Sequence, residues 1–148
     1  MTSRRHFIKQ TSKASAALYL GAVGFSAKSY ARIIGSNDRV NLGVVGFSDR
    51  FRQSHLPSFK NHYKELNFDI IAVSDIWKVR REEGQAFLKK ELDHDITACV
   101  NNDELYKIKA VDGVFISTAD FQHALHTIEA VKAGRDTYTE KPFAETMD

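Results

Sequence analysis

Between Gly43 and Phe51 the chain reads Gly-Val-Val-Gly-Phe-Ser-Asp-Arg-Phe, an apolar run that breaks at a glycine and passes into polar residues. That pattern suits phosphate chemistry, because a glycine lets the backbone approach an anion and the N–H groups opening a following helix point at it. The dinucleotide-binding form of the turn, G-x-G-x-x-G, gives one glycine to the tight turn, one to the close approach and one to helix-on-strand packing. At those positions the chain has Gly46, Ser48 and Phe51. Gly46, Phe47, Ser48 and Arg50 are the candidates to line a pyrophosphate. The Ser48 hydroxyl is expected either to cap the helix or to donate to a phosphate oxygen. Phe51 is the departure: a large ring at the packing position is expected to force helix and strand apart or to turn outward. Asp49 brings negative charge toward the same place, with Arg50 and Arg52 to offset it. The competing reading of the stretch is a plain strand running into a helix.

A second chemical position closes the apolar run from Phe68 to Asp75. An acidic residue at the end of a second strand can accept hydrogen bonds from a ribose diol. Asp75 follows Gly46 at a longer interval than the roughly 20 residues usual for the motif, which a long intervening helix accommodates. It could equally cap the helix after it. Arg80 and Arg81 lie close enough to leave a phosphorylated cofactor open, so both NAD and NADP are candidates. Cys99 is the single cysteine, which excludes an intrachain disulfide framework and a multi-cysteine metal site, and it reads as a small buried hydrophobe. No metal ligands are expected.

The elements that must position these residues alternate. Apolar runs (VNLGVVG, FDIIAVSD, ITACV, VDGVFIST, RDTYTE) take turns with helical segments, which argues for βαβ units on a parallel sheet covered on both faces. The expected fold is α/β, a Rossmann-like doubly wound parallel sheet. The first helix is expected from about Asp49 to Leu66, with Phe51, Leu56, Phe59, Tyr63 and Leu66 on one side and a late start or kink near Ser54 because of Pro57. The second is expected from Lys78 to about Leu92, with Val79, Ala86, Phe87 and Leu92 amid charged residues. In the third, Phe121, Ala124, Leu125, Ile128 and Val131 recur at helical spacing to form one apolar face, with Asp120 as N-cap and Gly134 as the stop. Trp77 reads as packing on the sheet edge rather than as an adenine platform.

At 148 residues, 43% hydrophobic and with formal net charge +2, the chain has the composition of one globular domain. Much of its basic excess sits in the first dozen residues, so no nucleic-acid partner is expected. The opening residues 1–31 combine a basic start, an apolar run from Ala14 to Phe25 and small residues near a cut after Ala31, the organisation of an export signal. Its Ser3-Arg4-Arg5-His6-Phe7-Ile8-Lys9 resembles the twin-arginine signal, which implies the export machinery of that pathway as a partner and a periplasmic or otherwise exported location. Residues 32–39 read as a linker and 40–148 as the domain.

The segment from Val111 to Asp148 carries a resemblance. Val114 to Thr118, Asp120-Phe121-Gln122-His123-Ala124, Ala130-Val131-Lys132-Ala133-Gly134-Arg135 and Glu140-Lys141-Pro142 resemble the strand, helix start, helix end and E-K-P motif of the glucose-fructose oxidoreductase / inositol dehydrogenase / rhizopine catabolism (Gfo/Idh/MocA) family. RVNLGVVG and IAVSDIW look like its first two strands. The resemblance implies an NAD(P)-dependent oxidoreductase acting on a sugar or cyclitol. It places Lys141 beside the nicotinamide and the reacting hydroxyl, has Glu140 line the cofactor site and turns His123 toward the nicotinamide. The plainer alternatives are a surface lysine before a turn proline and a helix histidine bonded to backbone. Thr118 would lie at a strand's carboxyl end, where open α/β sheets gather ligands. Some relatives look like glycosidases that use a bound NAD transiently, and a degenerate binding or scaffold module is the reading outside enzymology. The chain reaches Asp148 soon after Glu140-Lys141-Pro142, so the family's second domain, with its substrate pocket and its homo-oligomer contacts, is expected to be missing.

Overall fold

The computed structural model describes residues 39–144 and Thr146; the export signal expected over 1–31 and most of the linker lie outside the described residues. Five strands form one sheet: β1 (Val40–Val45), β2 (Phe68–Ser74), β3 (Thr97–Cys99), β4 (Gly113–Ile116) and β5 (Asp136–Thr139). Their order is β3-β2-β1-β4-β5 and every neighbouring pair is parallel. The chain therefore winds outward from β1 in one direction through β2 and β3, then returns to wind in the other through β4 and β5. That reversal leaves a crevice beyond the carboxyl ends of β1 and β4, the switch point where such sheets hold ligands.

Each parallel connection crosses a face of the sheet. A π-wound turn (Phe51–His55) leading into α1 (Leu56–His62) follows β1; α2 (Lys78–Leu92) follows β2; α3 (Asn102–Tyr106) follows β3; and a 3-10 turn (Asp120–Gln122) leading into α4 (His123–Lys132) follows β4. One core joins Val44, Ile70 and Val73 to Phe51, Leu56, Leu88 and Leu92, and the other joins Val45, Ala72 and Val114 to Leu105, Tyr106 and Ala130. Adjacent residues of β1, Val44 and Val45, thus feed opposite cores, as the two-residue period of a strand requires. A register shift between Leu42 and Gly43 opposite β2 breaks that period, which is how Ile70 and Val73 come to share a face.

Several expectations are corrected. Phe51 neither parts helix from strand nor turns outward: it is 1% exposed, its ring edge-on to Phe115 at 5.3 Å. The late start expected near Ser54 because of Pro57 is met: residues Phe51–His55 wind as a π turn and the α-helix begins only at Leu56, with Pro57 in its first turn, where its missing N–H costs little. On α4 the predicted apolar face is the solvent face, with Phe121, Leu125, Ile128 and Val131 all exposed. The sheet side is made instead by His123, Thr127 and Ala130, small or hydrogen-bonding residues that let the helix approach closely: Thr127 Oγ1 donates to the His123 carbonyl at 2.8 Å and meets Thr139 Oγ1 at 2.7 Å. Asp120 opens the 3-10 turn rather than capping α4. Likewise Leu66 and Val79 are exposed, and α2 buries Gly84, Leu88 and Leu92. Gly134, at φ +73°, does end α4.

Candidate functional site

The strand ends at the switch point open into a cleft of about 400 Å³ lined by Gly46, Ser48, Asp75, Thr118, Asn102 and His126 among others. Gly46 makes the turn possible. Its φ is +82°, a region other residues enter only at a cost, and a β-carbon there would lie 2.7 Å from Thr118 Cγ2. Its N–H donates to the Ser74 carbonyl at 2.9 Å, pinning the β1 turn to the end of β2. Ser48, where the motif has its second glycine, uses its hydroxyl to accept the Phe51 N–H at 3.1 Å and to meet Ser117 Oγ at 2.7 Å. It caps the helix start while keeping the backbone of the loop uncovered. Among the described residues, no protein acceptor takes the N–H groups of Ser48, Asp49 and Arg50. Unpaired N–H groups in the first turn of a helix are where an anion is stabilised.

Phe47 contributes backbone only. Its ring is buried against Gly84 of α2, where a β-carbon would sit 2.7 Å from Phe47 Cγ, and near Phe87. Its N–H donates to Asp75 Oδ2 at 3.1 Å, and the Trp77 N–H donates to Oδ1 at 2.8 Å. Asp75 therefore caps the turn into α2 and still lines the cleft, so the two readings of it are compatible. Arg80 lies in the wall of the same cleft, its guanidinium 6.0 Å from the exposed Trp77 ring and 3.2 Å from both Asp49 and Glu83. Arg52 pairs with the same two carboxylates at 3.2 and 2.8 Å. Two acids and two bases thus cancel beside the loop, and Asp49 does not confront the cleft with a bare charge. Arg81 donates to the Asp75 carbonyl at 2.8 Å.

The remaining predicted residues fall outside the lining of this cleft. Arg50 turns toward the end of β5, with Nε 3.7 Å from Glu140 Oε2. Glu140 Oε1 lies 2.7 Å from His55 Nε2, a direct polar contact between two largely buried side chains. His123 is 2% exposed, with Nδ1 2.8 Å from the Pro142 carbonyl and Nε2 3.2 Å from the Thr118 carbonyl. Both nitrogens face backbone, the plainer of the two arrangements expected for it. Lys141 is exposed just beyond β5, preceding a cis peptide bond to Pro142. Cys99 is buried, and burial raises its thiol pKa above the ordinary value, which keeps it an unreactive hydrophobe.

Sequence reasoning missed the polar wall opposite the loop. Ser74 Oγ donates to Asn102 Oδ1 at 2.6 Å, and Asn102 Nδ2 and Glu129 Oε2 both reach His126 Nδ1, at 3.1 and 3.0 Å. The signal for α3, which presents Asn102, was legible: Asn101 accepts the Glu104 N–H at 2.9 Å while Glu104 accepts the Val100 N–H at 2.8 Å, a capping-box arrangement.

The features of the cleft meet the needs of a dinucleotide. Gly46 leaves a cradle that a β-carbon would fill, the buried Thr118 Oγ1 has no hydrogen-bond partner among the described residues, and Asp75 stands at the end of β2. Comparison with known proteins agrees: residues 40–148 match the family described as the Gfo/Idh/MocA oxidoreductase family, NAD-binding Rossmann fold, and the chain belongs to it. No curated protein matches the sequence. Among solved structures, the fold is similar to that of the WlbA dehydrogenase from Bordetella pertussis in complex with NADH and UDP-GlcNAcA, with a TM-score of 0.62 and 19% identity over 72% of this chain and 30% of that one. It is also similar to KijD10, a 3-ketoreductase from Actinomadura kijaniata, in complex with NADP, with a TM-score of 0.61 and 20% identity over 72% and 31%. A third is an oxidoreductase from Thermotoga maritima, with a TM-score of 0.63 and 24% identity over 72% and 31%. The chain spans about 30% of the length of the Bordetella protein.

Proposed function

We propose that this chain is the cofactor-binding half of an oxidoreductase that moves hydride between a nicotinamide and a hydroxyl-bearing carbon of a sugar or cyclitol. The observation that carries this reading is the Gly46 turn: a left-handed glycine at the switch point whose missing side chain keeps open a cleft floored by Thr118. When bound, the nicotinamide supplies hydride chemistry that no side chain can. The N–H groups of Ser48, Asp49 and Arg50 and the Thr118 hydroxyl are suited to phosphate oxygens, and the Asp75 carboxylate to the ribose diol. NAD is favoured over NADP, because Asp75 would repel a 2′-phosphate and Arg80 is already shared by Asp49 and Glu83. Lys141 Nζ takes or returns the proton of the reacting hydroxyl. The UDP-GlcNAcA in the Bordetella structure supports a sugar-like substrate.

A thermal-shift titration of the chain with NAD, NADH, NADP and NADPH tests this, with Gly46→Trp as a blocked turn. A binder gains about 2.7 kcal/mol at a hundredfold excess over Kd. NADH should raise Tm more than NADPH does, and Gly46→Trp should abolish the rise; a folded wild-type domain with no rise refutes the reading. The motif Ser3 to Lys9 supports export by the twin-arginine route. A reporter carrying residues 1–31 should stay inside the cell when Arg4 and Arg5 are both changed to lysine.

A further inference from the structure

Lys141 sits between two residues that are each tied to a histidine on a different element. On one side, Glu140 meets His55 at 2.7 Å and Arg50 at 3.7 Å, and the His55 and Glu140 side chains are only 13% and 11% exposed. On the other, the Pro142 carbonyl meets His123 Nδ1 at 2.8 Å, with the far side of that ring against the Thr118 carbonyl. His55 reaches Glu140 from the last position of the π-wound turn, and its ring is seated 4.7 Å from Phe115 and 6.1 Å from Tyr138. We infer that His55 is a positioning residue for Lys141: it fixes the entry to the lysine by holding Glu140, as His123 fixes the exit by holding Pro142. Arg50 and His55 lie on the helical segment that opens at the Gly46 turn, so the anion-binding end of the site and the Lys141 segment share one support. The inference rests on the reading of Lys141 as the proton-carrying group, since only that role gives its placement a use.

The test is the reactivity of individual lysines in the full chain toward an amine-directed acylating ester, mapped by mass spectrometry. His55→Phe keeps a ring against Phe115 and removes the nitrogen; His55→Gln returns a polar atom. Lys141 labelling should change about fivefold in His55→Phe, with backbone amide exchange over residues 140–143 accelerated to a similar extent, and His55→Gln should restore much of both. Lys107, Lys109 and Lys132, remote in sequence from the brace, serve as references and should not change. Unchanged Lys141 labelling in a folded His55→Phe protein, or a change shared by the reference lysines, overturns the inference. If His55→Phe does not fold, Glu140→Gln removes the same tie and is held to the same outcomes. NADH titration of the same samples separates the two readings: wild type that fails to bind NADH refutes the proposed function, while the labelling contrast still decides whether His55 holds Lys141 in place.

Discussion

Replacing Gly46 by alanine isolates what the turn requires. The new β-carbon faces two separable penalties. At φ +82° an L-residue is in the left-handed region, which costs about 1–2 kcal/mol. The same atom would stand 2.7 Å from Thr118 Cγ2 and 3.2 Å from both the Ser117 carbonyl oxygen and Thr118 Cα, an overpacking that costs about 1–3 kcal/mol. Gly46→Ala should therefore lose about 2–5 kcal/mol. With a urea slope of about 1–2 kcal/mol per molar, the unfolding midpoint should fall by roughly 2 M. Adding Thr118→Ser removes Cγ2, the nearest of the three atoms, and leaves the backbone as it is. The double variant should recover roughly 1 kcal/mol and no more, because the left-handed penalty stays. A Gly46→Ala midpoint within about 0.3 M of wild type refutes the strained-turn argument. Full recovery in the double variant refutes the share assigned to φ.

The other predictions concern His55 and Arg135. Burial holds the His55 imidazole below its ordinary 6.5; the Glu140 carboxylate pulls the other way, and the Arg50 guanidinium adds to the lowering. With the folded value depressed, the unfolded chain takes the proton first, so this histidine's share of stability is complete above about pH 6.5 and is lost as pH falls toward the folded value. Wild type should thus lose stability relative to His55→Phe in denaturation series taken from about pH 7.5 to about pH 5.5. A gap that moves in favour of wild type at low pH would mean that the Glu140 pair outweighs burial. Arg135 donates to the Tyr106 carbonyl at 2.6 Å and the Val111 carbonyl at 2.6 Å, closing the end of α3 and the loop into β4. Arg135→Met should cost about 2–4 kcal/mol by urea denaturation, and a loss under about 0.5 kcal/mol would show that water replaces the guanidinium freely.

The sheet was legible because strands covered on both faces carry continuous apolar runs, as β1 does from Leu42 to Val45 and β2 from Ile70 to Val73. The helix faces were less so, and α4 shows why. Periodicity finds an apolar stripe but not the side on which the sheet lies. Here the sheet side is chosen by hydrogen bonds: Thr127 to Thr139, and His123 to the backbone at Thr118 and Pro142. Those ties join residues that a hydropathy pattern scores as polar and assigns to solvent. The site divides along the same line. Gly46, Ser48, Asp75 and Thr118 belong to strand ends, so the strand pattern brings them into one cleft. Arg50 and Glu140 were legible as types only, since their direction depends on where the helix after Gly46 points. A straight α-helix would carry position 55 on a different heading from the π-wound turn that precedes Pro57. Pro57, the residue that breaks the helical pattern in the sequence, thus stands two positions after the side chain that meets Glu140. A substitution at Pro57 that let the helix rewind should disturb the Lys141 segment without touching it.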